Sequence, residues 1–360
     1  MKKNNSIKLE KDFTRLLLKW NRHKNDRSMP WKGESDPYKI WLSEIILQQT
    51  RVEQGLVYYQ KFVTKYPDIH KLAKASEGQV FKLWEGLGYY SRCRNLLSTA
   101  RFISKERKGI FPQTFEELKS LNGVGPYTAS AIASFAFNKP HAVLDGNVFR
   151  VLARFFGITA SVDTAEGKKL FSAMADSVLD KKNPGVYNQA IMDFGAVVCK
   201  PALPLCNRCG FKKQCFAFQN EKIDELPLKK KKGLIKLRYF NYLVIEFKKK
   251  TAIVHRTKKD IWQGLFEFPM IETKKEITSN SQKKMISESG LLKNTGFTIE
   301  AFSEPMKQQL SHQLIIGSFI KIKLTEELKV CNEWIWVNSG KLKQYSFPKI
   351  IHQYFALEHT

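Results

Sequence analysis

Apolar positions in the first 220 residues recur with a helical period, and no alternating run appears among them. Residues 8–21 carry Phe13, Leu16, Leu17, Leu18 and Trp20, which predicts an amphipathic helix. A second helix is expected over 37–50, with Ile40, Ile46 and Leu47 on its apolar face. Short helices follow over 54–66, 69–75, 77–84 and 92–105, then 115–121, 127–137, 151–157, 165–179 and 186–198. From residue 239 the period changes to two. Residues 239–247 and 251–256 read as a strand pair turning at the lysines 248–250; 314–324 and 333–337 read as further strands, and 285–292 as a helix end. Between the two regimes, 221–238 combine Pro227, four consecutive lysines at 229–232 and Gly233, the composition of a solvated linker. The predicted fold is multidomain: an all-α region over 1–220, a basic linker over 221–238, and an α+β domain over 239–360.

Within the helical region one stretch combines the chemistry of a turn with that of a site. Leu121-Asn122-Gly123-Val124-Gly125-Pro126 separates two predicted helices. Gly123 and Gly125 accept positive φ, and Pro126 has no N–H to lose in a first helical turn. Residues 115–137 thus read as a helical hairpin whose free backbone N–H groups suit a phosphate. Some twenty residues on stands Asp145, between Leu144 and Gly146 and ahead of another apolar helix. It is either the N-cap of that helix or a chemically active carboxylate. Glu44 lies in an otherwise uncharged run, Ile40 to Thr50. It either turns to solvent at the helix edge or is desolvated, in which case its pKa rises and it becomes a proton donor near neutrality. Gln48 and Gln49 on the same helix are long, neutral amides able to meet base edges. Gly86-Leu87-Gly88-Tyr89-Tyr90 is a tight turn presenting Tyr89 beside Arg92 and Arg94, an aromatic that can pack on a helix end or wedge into a base stack.

The formal charge is +26 and the excess runs through both halves of the chain, which points to a polyanion. No apolar run is long enough to span a bilayer, and the first residues lack the apolar stretch of a secretory signal, so a cytoplasmic location is expected. Six cysteines in a reducing compartment argue for ligation or burial. Four of them, Cys199, Cys206, Cys209 and Cys215, form one compact loop with a single C-x2-C knuckle. Zinc and a [4Fe–4S] cluster both accept four thiolates; the spacing favours the cluster. Cys93 and Cys331 stand apart and read as inert buried thiols.

Four motifs together resemble the adenine DNA glycosylases of the MutY kind, over nearly the whole length: WLSEIILQQT, the hairpin LNGVGPYTA with LDGNVFRVLAR, the four-cysteine loop, and IWQGLFEFP. The hairpin and cysteine loop alone resemble the wider helix-hairpin-helix superfamily that includes endonuclease III; LQQT with Glu44 and the appended domain point to the adenine branch. The resemblance implies excision of adenine mispaired with 8-oxoguanine or guanine in double-stranded DNA, with the base flipped out of the stack. It implies that Glu44 protonates N7, that an ionised Asp145 stabilises the oxocarbenium-like sugar, and that Tyr127 stands beside the catalytic aspartate. Endonuclease III carries a Schiff-base lysine at the Tyr127 position, so a monofunctional glycosylase is expected. Gln49 and Tyr89 match side chains that enter the duplex; Trp31, Arg27, Lys32, Leu47, Val52 and Gln189 match the adenine pocket. Gly123 and Gly125 belong to the DNA-binding hairpin, the four cysteines to a [4Fe–4S] cluster, and Ser311 with His312 to a loop that reads 8-oxoguanine. Lys32 replaces a frequent arginine, and Leu310 the phenylalanine of that loop. The second domain resembles the Nudix fold, but the segment matching its metal-binding helix, 283–290, has Glu288 as its one carboxylate, so binding without hydrolysis is expected. A monomer on DNA is implied. Two other readings are a bifunctional endonuclease III-like glycosylase and AP lyase, and a non-enzymatic DNA-binding module.

Overall fold

The structure is a computed structural model that describes residues 2–230, 235–293, 295–326 and 333–358. In chain order the helices are α1 (Lys2–Lys24), α2 (Pro37–Leu47), α3 (Val52–Lys65), α4 (Ile69–Lys74), α5 (Glu77–Trp84), α6 (Tyr90–Glu106), α7 (Phe115–Ser120), α8 (Pro126–Phe137), α9 (Gly146–Phe156), α10 (Ala165–Val178), α11 (Pro184–Val197) and α12 (Phe216–Gln219). There follow β1 (Lys236–Phe247), β2 (Lys250–His255), β3 (Phe266–Glu267), β4 (Met270–Thr273), α13 (Gln282–Ser289), β5 (Phe297–Phe302), β6 (Met306–Gln309), β7 (Gln313–Leu324), β8 (Trp334–Asn338) and α14 (Lys349–Leu357). Helical and then α+β, this is the architecture expected from the change of period. Packing divides the chain into two units: Met1–Lys74 with Asn95–Lys231, and Ala75–Arg94 with Lys232–Thr360. Ala75–Arg94, read with the helical region, therefore packs with the later residues.

The helices of the first unit start where capping chemistry dictates. Asp36 caps α2 by accepting from the Tyr38 N–H at 2.9 Å, with Pro37 in the first turn. Thr114 caps α7 through the Glu117 N–H. Gly123 has φ of +79°, and a Cβ there would come 2.8 Å from that of Asn95, so the hairpin turn needs glycine on two counts. The core joins Phe13 and Leu17 of α1 to Val151, Leu152 and Phe155 of α9, Phe171 of α10 and Phe194 of α11. α1 runs further in both directions than residues 8–21. α9 opens at Gly146, five residues earlier than its apolar run suggests, because Asp145 supplies the cap.

Leu226 is buried in this same core, and the Val162 N–H donates to the Leu228 carbonyl, so residues 221–228 are part of the helical unit rather than a solvated tether. The sheet begins at Lys236, inside the stretch read as linker.

In the second unit β1 and β7 form a parallel central pair, Leu243 opposite Ile320, with antiparallel neighbours in the order β3-β2-β1-β7-β5. β4, β6 and β8 pair with β1, β7 and β2. β3, β4, β5 and β6 are missing from the sequence reading; they have two to six residues and mixed burial, too short for an alternation to register. One face packs Leu243, Ile245, Ile320 and Ile322 against Ile286 of α13. The other stacks Tyr242 on Phe319 and Phe319 on Tyr354 of α14, with centroids 5.0 and 4.2 Å apart.

Candidate active site

α2, α8, α9, α11 and the loop after α1 enclose a cavity of about 860 Å³ within the helical unit. Its walls bring together Glu44, Tyr127 and Asp145 with Arg27, Trp31, Lys32, Leu47, Gln49, Val52 and Gln189. A space of this size holds a base and part of its sugar-phosphate.

Glu44 is 7% exposed and has no cationic partner among the interactions that set its ionisation. Burial pushes its carboxyl up to about 7; a hydrogen bond from Tyr127 opposes the rise and the charge of Asp145 adds to it. Of the two readings open for Glu44, the structure selects the desolvated one. The Tyr127 hydroxyl also lies 3.5 Å from Met192 Sδ, and burial holds it well above the ordinary phenol range.

Asp145 is the N-cap of α9, and it also stands on the cavity wall. Oδ1 accepts from the Val148 N–H at 2.8 Å, capping α9, and Oδ2 accepts from Asn147 Nδ2 at 2.7 Å, while the side chain lines the cavity. Burial raises this carboxyl too, which works against the ionised form that the resemblance implies; the donors Val148 and Asn147 and the charge of Arg150 pull the other way. The difference between the two acids is therefore one of hydrogen bonds. The charged form of Asp145 is met by several donors, that of Glu44 by one.

Gln48 and Gln49 part company. Gln48 is the C-cap of α2, and its amide donates to the Thr128 hydroxyl at 3.1 Å and the Gly123 carbonyl at 3.3 Å, so it ties α2 to the hairpin. Gln49 lies beyond the helix, exposed, with φ of +56°. Neither is a helical residue reading bases from a helix face. Gly123 and Gly125 stand at the hairpin and not in the cavity lining, and Gly125 caps α8 without a side-chain hydrogen bond.

Tyr89, Ser311 and His312 belong to the second unit. Leu310, Ser311 and His312 form the three-residue tip between β6 and β7, with Ser311 and His312 exposed. The Tyr89 hydroxyl lies 2.6 Å from Ser311 Oγ, and Arg92 stacks between the Trp84 and Tyr89 rings at 5.2 and 5.3 Å. Tyr89 has φ of +50°, a conformation rare for an aromatic and held by these neighbours.

The four clustered cysteines line one small, apolar cavity with Phe13, Phe155, Phe194 and Phe211. Arg154 Nη1 lies 3.6 Å from Cys199 Sγ, and Arg150 Nε donates to the Cys199 carbonyl at 2.7 Å. Four thiols round one apolar space supply the donor set of a cluster held by four thiolates, without its assembled ligand geometry. Among the described residues no group of three or more His, Cys, Asp or Glu is arranged to hold a metal ion. Cys93 is buried, and its thiol is raised by desolvation; Cys331 lies outside the described residues.

Sequence reasoning passed over Asp193. It is fully buried on α11 and receives Asn25, Arg27, Lys32 and Gln189. Its signal was the one that marked Glu44, a lone acid in an apolar run.

Residues 42–174 match the family of HhH-GPD superfamily base excision DNA repair proteins, and residues 241–357 match the NUDIX domain. A cavity lined by a buried Glu44 and a half-buried Asp145, in a unit with a glycine-turned hairpin, thus belongs to a helix-hairpin-helix base excision DNA repair protein, an N-glycosylase by class. The particular branch follows from longer matches. The chain is 36% identical over 339 residues to the adenine DNA glycosylase of Buchnera aphidicola subsp. Baizongia pistaciae, covering 93% of each chain, and it belongs to the adenine DNA glycosylase family. It is also 40% identical to the human adenine DNA glycosylase over 223 residues, 59% of this chain and 41% of that one. Among solved structures it is similar to a thermostable thymine-DNA glycosylase, at TM-score 0.55 and 29% identity, covering 59% of this chain and 98% of that one. No helix among the described residues is long and apolar enough to cross a membrane.

Proposed function

We propose that this protein removes adenine mispaired with 8-oxoguanine, or with guanine, from double-stranded DNA and leaves an abasic site. The observation that carries the reading is the buried Glu44, raised to about 7, on the wall of a base-sized cavity that also holds Asp145. A carboxyl poised at that value is still substantially protonated near neutrality, and gives its proton to N7 of an extruded adenine, turning the base into a leaving group. As the glycosidic bond breaks, positive charge grows on the sugar. Asp145, held by the Val148 and Asn147 donors, faces that charge; an approaching cation favours its ionised form. Water then adds to the sugar, the outcome of two-carboxylate glycoside hydrolysis. With a tyrosine at 127, whose hydroxyl is raised well above its ordinary range, no amine stands there to form a Schiff base, so the enzyme is monofunctional and does not cut the strand.

The hairpin around Gly123 and Gly125 takes a backbone phosphate on its free N–H groups. Gln49 and Tyr89 enter the duplex, and Ser311 with His312 reads the oxidised guanine. Cys199, Cys206, Cys209 and Cys215 hold a [4Fe–4S] cluster, which when bound cross-links the loop 199–215. The Nudix-like domain binds without hydrolysing, since α13 offers only Glu288, which is exposed and 3.8 Å from Lys284. The protein works as a cytoplasmic monomer on DNA.

A labelled duplex with adenine opposite 8-oxoguanine tests the reading. Nicking that needs alkali is the expected result. Nicking without alkali, on a duplex with an oxidised pyrimidine, would replace it by a glycosylase-lyase, and intact DNA throughout by a binding module.

A further inference from the structure

α11 carries one carboxylate in its apolar half, and four side chains close on it. Asp193 Oδ1 accepts from Arg27 Nη1 at 2.8 Å and from Gln189 Nε2 at 2.9 Å; Oδ2 accepts from Asn25 Nδ2 at 2.9 Å and lies 3.0 Å from Lys32 Nζ. The set is knitted further, since Lys32 Nζ donates to the Arg27 carbonyl at 2.8 Å and Asn25 Nδ2 to Asn21 Oδ1 at 2.7 Å. Asp193 itself is 0% exposed and does not line the cavity; Arg27, Lys32 and Gln189 do. A carboxylate so placed costs several kcal/mol to desolvate unless it is fully paired, so a geometry that pairs it completely is itself a strong constraint on its partners.

We propose that Asp193 is a positioning and specificity-determining residue: it fixes which end of the Gln189 amide faces the cavity, and so selects 6-aminopurines over 6-oxopurines. A carboxylate only accepts hydrogen bonds. The Gln189 amide nitrogen must therefore face Asp193, and the carbonyl oxygen is the end left for a ligand. Among the described residues nothing donates to that oxygen. An acceptor fixed at the wall meets the exocyclic amino group of adenine and repels the O6 of hypoxanthine or guanine, whose desolvated oxygen would find no donor. A free glutamine could turn over and serve either base. Asp193, with Asn25 hydrogen-bonded to it, removes that freedom, and it also pairs with the two cations that stand in the same wall.

The inference rests on the adenine-excision reading, and one experiment separates the two. Base release is measured under single-turnover conditions from duplexes carrying adenine or hypoxanthine opposite 8-oxoguanine, with melting temperature and duplex affinity recorded for each protein. Wild type is expected to prefer adenine. Asp193→Asn presents an NH2 as well as an oxygen, so Gln189 can turn; the adenine-to-hypoxanthine ratio should fall roughly tenfold or more, the size of one unmet buried hydrogen bond. Gln189→Leu should lose the preference to a similar extent with Asp193 intact. The double variant Asp193→Asn/Gln189→Glu puts the carboxylate at 189 and the donor at 193, so the ratio should recover. A folded Asp193→Asn with the wild-type ratio would overturn the inference. So would an unchanged ratio in Gln189→Leu, the arm that decides if Asp193→Asn does not fold. If wild type releases no adenine at all, the functional reading fails and takes the inference with it.

Discussion

Two buried acids stand on helices around the same cavity, and their surroundings are opposite. Glu44 on α2 has Tyr127 as its one hydrogen-bond donor, and burial lifts it to about 7. Asp193 on α11 has four polar partners, two of them cationic, within 3.0 Å. In one place the fold leaves a buried carboxyl almost uncompensated, and its pKa rises. In the other it compensates fully, and the group becomes a rigid anchor. Both are carboxyl groups in an apolar setting; the partners decide how each is compensated.

The comparison breaks most visibly at Glu44. Glu44→Gln removes the proton and Asp145→Asn the charge. Each is expected to lower adenine release by about a hundredfold or more while duplex affinity persists. A variant of either kind with near wild-type single-turnover rates would dissolve the contrast. The next effect is in the pH profile. A donor with a pKa of about 7 loses its proton above that value, so release should fall about tenfold per pH unit on the alkaline side. Tyr127→Phe deletes the hydrogen bond that favours the charged form. The alkaline limb should then move to higher pH; a shift downward would mean that Tyr127 does not hold Glu44.

Stability gives a third and smaller handle. The folded pKa of Glu44 lies above its ordinary 4.5, so ionisation favours the unfolded chain. The protein should lose stability through this group as pH rises from about 4.5 to about 7, and keep it below that window. Glu44→Gln, free of this penalty, should gain on wild type in melting temperature across the window. A gap that stays flat from pH 4.5 to 7.5 would contradict a desolvated Glu44. The smallest effect is expected at an exposed site with neither kind of burial. Ser311→Ala should lower the preference for 8-oxoguanine over guanine several-fold, the scale of one exposed hydrogen bond, with adenine release opposite guanine unchanged. An unaltered preference ratio would take Ser311 out of the reading loop.

Much of this could be read along the chain. The change from a period near 3.6 to a period of two separated the helical unit from the sheet. Gly123 and Pro126 wrote the hairpin, whereas Gly125 is extended at φ −86° and does not use the positive φ expected of it; Asp145 ahead of Gly146 wrote the cap of α9, because capping and turn chemistry involve residues within a few positions of one another. Glu44 was conspicuous as a lone charge in an apolar run. Asp193 carried the same mark, yet its significance depends on Arg27, 166 residues away, and on Lys32 beside it. No local pattern announces such a partner.

The short strands β3 to β6 and the packing of Ala75–Arg94 with the sheet unit were equally out of reach, since they are settled by neighbours distant in sequence. So was the fate of Gln48, which looked like a base reader until the hairpin took its amide. Periodicity, caps and turns are short-range, and the order of residues alone determines them. Whether an acid is buried bare or buried paired is a long-range question of solvation and charge, and only the folded chain, by choosing who stands next to whom, decides it.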